Sequence, residues 1–187
     1  MKTFKDLLEA PQTIVFAFGR FNPPTTGHEK LINKVKSVAG NVPYRIYPSF
    51  TTNPKKDPLP HALKVAYMRK MFPKHRKNII ADKNARTAIM VAEMLYKEGF
   101  KNLVMVAGSD RVKEFSDLLN RYNDAPDKSG KQLFKFDSVQ VVSAGERDPD
   151  AEGVEGMSAS KMRAAAVDGD KDSFLTGLPK GFKDGEK

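Results

Sequence analysis

The sequence contains no cysteine and no tryptophan. The absence of cysteine excludes disulfides, thiolate zinc sites and a cysteine nucleophile. The chain also lacks any apolar run near the roughly 20 residues that a membrane-spanning helix needs. Its first residues carry one short apolar patch interrupted by charge, so we expect neither a secretory signal nor a membrane anchor. These features are typical of a cytoplasmic protein.

The charge balance is strongly basic, with a formal net charge of +9 over 187 residues. Basic proteins often bind anions, which include nucleic acid and small phosphates. The alternative is that dispersed lysines such as Lys30, Lys34 and Lys36 lie on a hydrated helix face and keep the protein soluble. No arginine-rich tract or interleaved aromatic pattern is present, so a nucleic-acid partner is not expected.

Short apolar runs alternate with amphipathic segments along most of the chain. The runs that predict strands are Thr13–Phe18, Tyr44–Phe50, Asn78–Ala81, Leu103–Ala107 and Ser138–Ser143. The main predicted helices are Thr3–Ala10, Gly27–Ala39, His61–Phe72, Asn84–Glu98, Asp110–Tyr122, one that begins near Ser158 or Ser160, and one around Ser173–Leu178. This alternation predicts an α/β fold, a Rossmann-like doubly wound parallel sheet of five strands in the order 3-2-1-4-5 with helices on both faces. We expect one domain over 1–187, helical over 158–178 and ending in a polar tail over 179–187.

The best-known phosphate-binding motifs are missing. The sequence has no GxxxxGK[ST], and the first strand is followed by Gly19-Arg20-Phe21-Asn22 instead of GxGxxG. A doubly wound sheet binds its ligands at the carboxyl ends of the strands. Other residues at that edge must therefore bind an anion.

Two segments supply suitable residues. In Thr25-Thr26-Gly27-His28, Gly27 permits a close approach of the backbone, and His28 opens a helix whose N–H groups favour negative charge. Thr25 offers a hydroxyl. A lone histidine is more often a packed or solvated side chain, but this context favours a phosphate ligand.

The second segment is Met157-Ser158-Ala159-Ser160-Lys161-Met162-Arg163. Ser158, Ser160 and Arg163 present two hydroxyls and a guanidinium to a phosphate within about one and a half helical turns. Ser160 and Arg163 are three residues apart and share a helix face. Arginine suits forked contacts with phosphate oxygens. The competing interpretation is a helix cap followed by a surface arginine.

The two segments together resemble the signatures of the nucleotidyltransferase superfamily, [HT]xGH at the first helix and ISSTxxR at a late helix. The resemblance covers nearly the whole chain. It implies that a phosphate oxygen of an acceptor attacks the α-phosphate of a nucleoside triphosphate and that pyrophosphate leaves. His28 would bind the α-phosphate, Thr25 would orient the attacking or α-phosphate oxygens, and Ser160 and Arg163 would bind the β- and γ-phosphates. Mg²⁺ would arrive with the triphosphate. Thr25 and Ser160 depart from the commoner His and Thr of the signatures.

The opening GRFNPPTTGH is similar to that of nicotinamide or nicotinate mononucleotide adenylyltransferases, which favours ATP and nicotinamide mononucleotide as substrates. The late segment also looks like small bacteriophage nucleotidyltransferases. Cytidylyl transfer from CTP to a phosphate ester is the second reading, since EGMSAS resembles a cytidylyltransferase segment, and a phosphopantetheine acceptor is the third. A nucleic-acid-binding module, or a nucleotide-binding relative without turnover, is the non-enzyme alternative. The resemblance also allows a homo-oligomer.

Six further residues are weaker candidates for the nucleotide site. Gly19, Arg20 and Phe21 follow the first strand, where Arg20 could bind an anion and Phe21 could pack. The lysines could reach phosphates or be solvated, and the aspartate could bind a ribose or base or cap a helix. They are Gly19, Arg20, Phe21, Lys55, Lys56 and Asp110.

Overall fold

A computed structural model describes residues 12–145, 157–179 and 182. In chain order the strands are β1 (Thr13–Gly19), β2 (Tyr44–Pro48), β3 (Asn102–Ala107) and β4 (Ser138–Ser143). The α-helices are α1 (Thr26–Ala39), α2 (His61–Met71), α3 (Ala88–Lys97), α4 (Val112–Tyr122), α5 (Ala159–Asp168) and α6 (Lys171–Thr176). Two 3-10 helices cover Pro73–Asn78 and Ser109–Arg111. The predicted helix Thr3–Ala10 and most of the loop over 144–157 lie outside the described residues.

The strands form one parallel sheet in the order β2-β1-β3-β4. The order in which strands are added reverses between β1 and β3. The carboxyl ends of these two strands are therefore the switch point where such folds bind ligands. The prediction of an α/β fold with a parallel sheet is confirmed.

The predicted five-stranded sheet in the order 3-2-1-4-5 is wrong in one strand. The run Asn78–Ala81 lies beside β2 as expected, but only Ile79 forms a parallel bridge, with Ile46. Asn78 still belongs to the 3-10 helix, which leaves too little extended backbone for a ladder. The described sheet therefore has four strands.

Both faces of the sheet are covered because successive strand residues point to opposite sides. Ile14 and Phe16 belong to a core cluster with α3 and α4, whereas Val15 and Ala17 pack with residues of α1 and α2. β2 ends at Pro48 and is an edge strand of the described sheet, a position that tolerates a residue without an N–H. Within the described ranges, no helix is both long and apolar enough to cross a membrane.

The starts of α3 and α4 lie later than the sequence predicts. α3 begins at Ala88 instead of Asn84, because Thr87 caps it by accepting the Met90 N–H at 3.2 Å. α4 begins at Val112, since Ser109–Arg111 forms a separate 3-10 turn. The predicted start of α5 near Ser158 or Ser160 is confirmed, since the helix begins at Ala159 and Ser158 caps it.

Candidate active site

The end of β1 positions the first predicted segment. Phe21 has a positive φ of 48°, and its buried ring lies over Gly19. A Cβ at Gly19 would come within 3.1 Å of that ring, so any larger residue there requires the ring to shift. The ring also contacts His28 edge-on, with centroids 4.9 Å apart. Gly19 and Phe21 therefore shape the loop that supports His28.

His28 is the third residue of α1 and closes a capping box with Thr25. The Thr25 backbone N–H donates to His28 Nδ1 at 2.9 Å, and the buried Thr25 hydroxyl lies 3.0 Å from the same nitrogen. Because Nδ1 accepts a hydrogen bond, the neutral ring carries its proton on Nε2. His28 is thus oriented as an Nε2–H donor at a helix N-terminus, where negative charge is favoured.

Thr25 lies behind His28 and orients it through both of these contacts. Gly27 is exposed, and a Cβ there would meet only the Thr25 hydroxyl at 3.5 Å and the Met157 carbonyl at 3.9 Å. Those distances are ordinary contacts. Contacts with the described residues therefore do not require glycine at position 27.

The second predicted segment starts α5. Ser158 is its N-cap and accepts the Lys161 N–H at 3.1 Å, so the cap interpretation holds for this serine. Ser160 is exposed and accepts from Arg163 Nη2 at 3.1 Å. Arg163 Nη1 donates to the Asn22 carbonyl at 2.6 Å. These two bonds use two of the five guanidinium donors.

The hydrogen bond from Arg163 to Asn22 joins the two segments across 141 residues of sequence. A second tie is the Thr26 N–H, which donates to the Gly177 carbonyl at 2.9 Å. Gly177 is buried, and a Cβ there would come within 2.3 Å of Met162 Sδ. Glycine at this position therefore allows the end of α6 to pack closely against α5. The starts of α1 and α5 therefore lie side by side at the carboxyl edge of the sheet.

The remaining weaker candidates lie at exposed positions. Arg20 is exposed directly after β1. Lys55 and Lys56 are exposed at the tip of a turn, where their N–H groups donate to the Asn53 side chain at 3.0 and 3.1 Å. Asp110 is exposed after β3 and caps neither the 3-10 helix nor α4, so its cap interpretation is wrong.

Sequence reasoning missed the residues that connect these parts. Asn22 and Asp57 are nearly fully buried, and Lys64 has no exposed surface. Lys64 could have been noticed from periodicity alone, since it lies on the same helix face as Val65, Met68 and Met71, which are buried. The contact from Arg163 to a backbone carbonyl leaves no trace in the sequence.

In the part of the chain that the structure describes, no three His, Asp or Glu side chains gather into a group that could hold a metal ion. His61, at the start of α2, has Nε2 3.3 Å from the Pro48 carbonyl, and its ring contacts the Phe50 ring at a tilt of 59° with centroids 4.8 Å apart. Burial lowers the pKa of His61 below its ordinary value of 6.5.

The switch point of the parallel sheet thus carries an oriented imidazole, a helix N-terminus and a tethered arginine. A family model described as cytidylyltransferase-like matches residues 16–165, and the chain belongs to that family. The resemblance to the nucleotidyltransferase superfamily is confirmed.

Two individual proteins are similar to this chain, one in sequence and one in structure. The chain is 27% identical over 118 residues to the probable nicotinate-nucleotide adenylyltransferase of Sulfurimonas denitrificans, over 60% of this chain and 64% of the relative. It thus spans less than two thirds of that relative's length. A Plasmodium falciparum nicotinic acid mononucleotide adenylyltransferase complexed with NaAD superposes with a TM-score of 0.52 at 13% identity, over 88% of this chain and 94% of that one. This superposition supports the fold.

Proposed function

We propose that the protein is an adenylyltransferase that transfers the adenylyl group of ATP to a mononucleotide acceptor such as nicotinamide or nicotinate mononucleotide and releases pyrophosphate. The observation that carries the proposal is the hydrogen bond from Arg163 to Asn22, which brings the two phosphate-binding segments together. The adenylyltransferase relative adds support for ATP and a mononucleotide.

The reaction is an in-line displacement at the α-phosphorus. A phosphate oxygen of the acceptor forms the new P–O bond. The bond from the α-phosphorus to the bridging oxygen breaks, and pyrophosphate leaves with the electron pair. Such a transfer depends on positioning and on stabilisation of the charge that develops on phosphate oxygens.

The described residues can supply both requirements. His28 Nε2–H would donate to an α-phosphate oxygen, held in orientation by Thr25. The remaining donors of Arg163, with the Ser160 hydroxyl, would bind the β- and γ-phosphates and then the leaving pyrophosphate. Lys55 and Lys56 lie on a neighbouring exposed turn from which they could contact phosphates.

We also propose that Mg²⁺ enters bound to the triphosphate. The described residues show no cluster of carboxylates for a resident ion, so phosphate oxygens and water would be its main ligands. The ion would neutralise phosphate charge. Asp110, at the exposed end of β3, is the remaining candidate contact for the ribose or base of a nucleotide.

Cytidylyl transfer is the second candidate, favoured by the description of the family model. Pyrophosphate release would be measured with ATP or CTP, each against nicotinamide mononucleotide, nicotinate mononucleotide, phosphopantetheine and simple phosphate esters. The proposal expects turnover with ATP and a mononucleotide. Turnover with CTP alone would favour the second candidate, and no pyrophosphate with any pair would reject both.

A further inference from the structure

A buried ion pair lies beneath the candidate site and has no part in the proposed chemistry. Lys64 of α2 donates from Nζ to Asp57 Oδ1 at 2.9 Å and to the Ser49 carbonyl at 2.8 Å. The Lys64 side chain has no exposed surface, and the Asp57 side chain is 3% exposed. Asp57 Oδ2 accepts the Thr51 hydroxyl at 2.8 Å. Both carboxylate oxygens of Asp57 are therefore engaged.

Stability alone is a weak reason for this arrangement. Removing an ammonium and a carboxylate from water is costly, and apolar replacements of a buried ion pair are often neutral or stabilising. Burial lowers the pKa of Lys64, while the hydrogen bond to Asp57 opposes that shift. A buried ion pair that adds little net stability is expected to have a further role in positioning its neighbours.

Asp57 also holds Asn22. The Asn22 side-chain amide donates to Asp57 Oδ1 and, at 3.1 Å, to the Leu59 carbonyl. The Leu59 N–H donates back to Asn22 Oδ1 at 3.1 Å. Asn22 is 1% exposed, so these contacts fix its side chain in a single orientation.

The backbone carbonyl of the same asparagine accepts from Arg163 at 2.6 Å. A continuous set of hydrogen bonds thus runs from Lys64 through Asp57 and Asn22 to Arg163. We infer that Asp57, held by Lys64, is a positioning residue for the phosphate-binding arginine and acts on it through Asn22. The inference rests on the proposed function, since it takes Arg163 as a triphosphate ligand.

A second buried polar network provides a matched control. His75 is 2% exposed, with Nδ1 3.0 Å from the Tyr44 hydroxyl and Nε2 2.9 Å from Asn33 Oδ1. Tyr44 is the first residue of β2, at the opposite end of that strand from the carboxyl edge where the site lies. Disrupting this network should cost stability without touching Arg163.

The experiment compares MgATP affinity and unfolding free energy in five full-length proteins. They are the wild type, His75→Leu, Asn22→Ala and two double variants, Lys64→Met with Asp57→Leu and Lys64→Met with Asp57→Asn. The leucine double variant removes the acceptor for Asn22 without leaving a buried unpaired charge, whereas the asparagine double variant keeps an acceptor oxygen. Asn22→Ala leaves the Lys64–Asp57 pair intact and provides a test if the double variants do not fold.

We expect the leucine double variant and Asn22→Ala to bind MgATP roughly tenfold or more weakly, because small displacements of positioning groups can cost up to about a hundredfold. The asparagine double variant should bind within a few-fold of wild type, and His75→Leu should lose stability but not affinity. Equal affinities in wild type, the leucine double variant and Asn22→Ala would overturn the inference and leave the proposed function standing. So would a loss of affinity in His75→Leu that matches theirs. A wild-type protein that binds neither ATP nor CTP would overturn the proposed function and this inference with it.

Discussion

Replacing His28 by glutamate and by alanine separates two roles that the imidazole has at the start of α1. Through Nδ1 the ring accepts the Thr25 N–H at 2.9 Å and caps the helix. Under the proposed function, its Nε2–H would donate to an α-phosphate oxygen at the helix N-terminus. Glutamate is the usual capping-box residue at this position and can accept the same N–H, but its carboxylate has no donor and repels phosphate.

The stability effects of the two variants should differ. Both lose the edge contact with the Phe21 ring, so that loss cancels when they are compared. His28→Ala also loses the cap acceptor, which typically costs about 1 kcal/mol. His28→Glu keeps the cap and adds a negative charge in the first turn, which is worth about 0.3–1 kcal/mol. We therefore expect His28→Glu to be about 1–2 kcal/mol more stable than His28→Ala.

Catalysis should fall in both variants, because each lacks the Nε2–H donor. Removal of one donor to a developing oxyanion typically costs about 10²–10³ in kcat. Urea unfolding would measure the stability difference, and pyrophosphate release from ATP with a mononucleotide acceptor would measure turnover. Equal unfolding free energies for the two variants would refute the cap role of Nδ1. Wild-type turnover in His28→Glu would refute the donor role of Nε2.

Three further predictions follow from the packing. Gly177→Ala should lower the unfolding free energy by about 1–3 kcal/mol, since its Cβ would lie 2.3 Å from Met162 Sδ, and a urea titration that matches wild type would contradict this overpacking. Gly19→Ala should weaken MgATP binding measured by calorimetry, because a Cβ there lies 3.1 Å from the Phe21 ring that supports the site; unchanged affinity would show that the ring can shift freely. Burial lowers the pKa of His61 and His75 below 6.5, so the unfolded chain takes up their protons first, and stability should fall as the pH drops below about 6.5 and stay level just above it. Melting temperatures from pH 5 to 8 would show this, and His75→Leu should flatten the slope between pH 5 and 6.5.

Strand and helix type could be predicted from periodicity because most segments have strong, local patterns. β1 is a continuous apolar run, and α1 has apolar residues at helical spacing. The failed strand at Asn78–Ala81 shows the limit of this reasoning, since four residues of suitable composition cannot reveal that the first still belongs to a 3-10 helix. The late start of α3 depends on which polar side chain caps the helix. Here Thr87 does so by accepting the Met90 N–H.

The proximity of the candidate residues within each segment could be predicted because their spacing is local, and their contact with phosphate stays a prediction. Thr25 and His28, and likewise Ser160 and Arg163, are three residues apart in sequence and adjacent on a helix. The supporting contacts could not be predicted, since Asn22, Asp57 and Lys64 meet only when α2 and the loop before it pack against the end of β1. Tertiary packing, and no local pattern, decides that an aspartate in a polar loop becomes a buried carboxylate.

The tie between the two ends of the chain has a consequence for how the protein is made. Arg163 lies 141 residues after the carbonyl that it binds, and Thr26 finds its partner only at Gly177. Contacts of such long sequence separation close slowly, and a chain emerging from the ribosome folds from its N-terminus first. The sheet can begin to assemble during synthesis. The starts of α1 and α5 can be joined by both hydrogen bonds only once Gly177 has been translated. A growing chain therefore carries His28 for most of its synthesis without the arginine beside it.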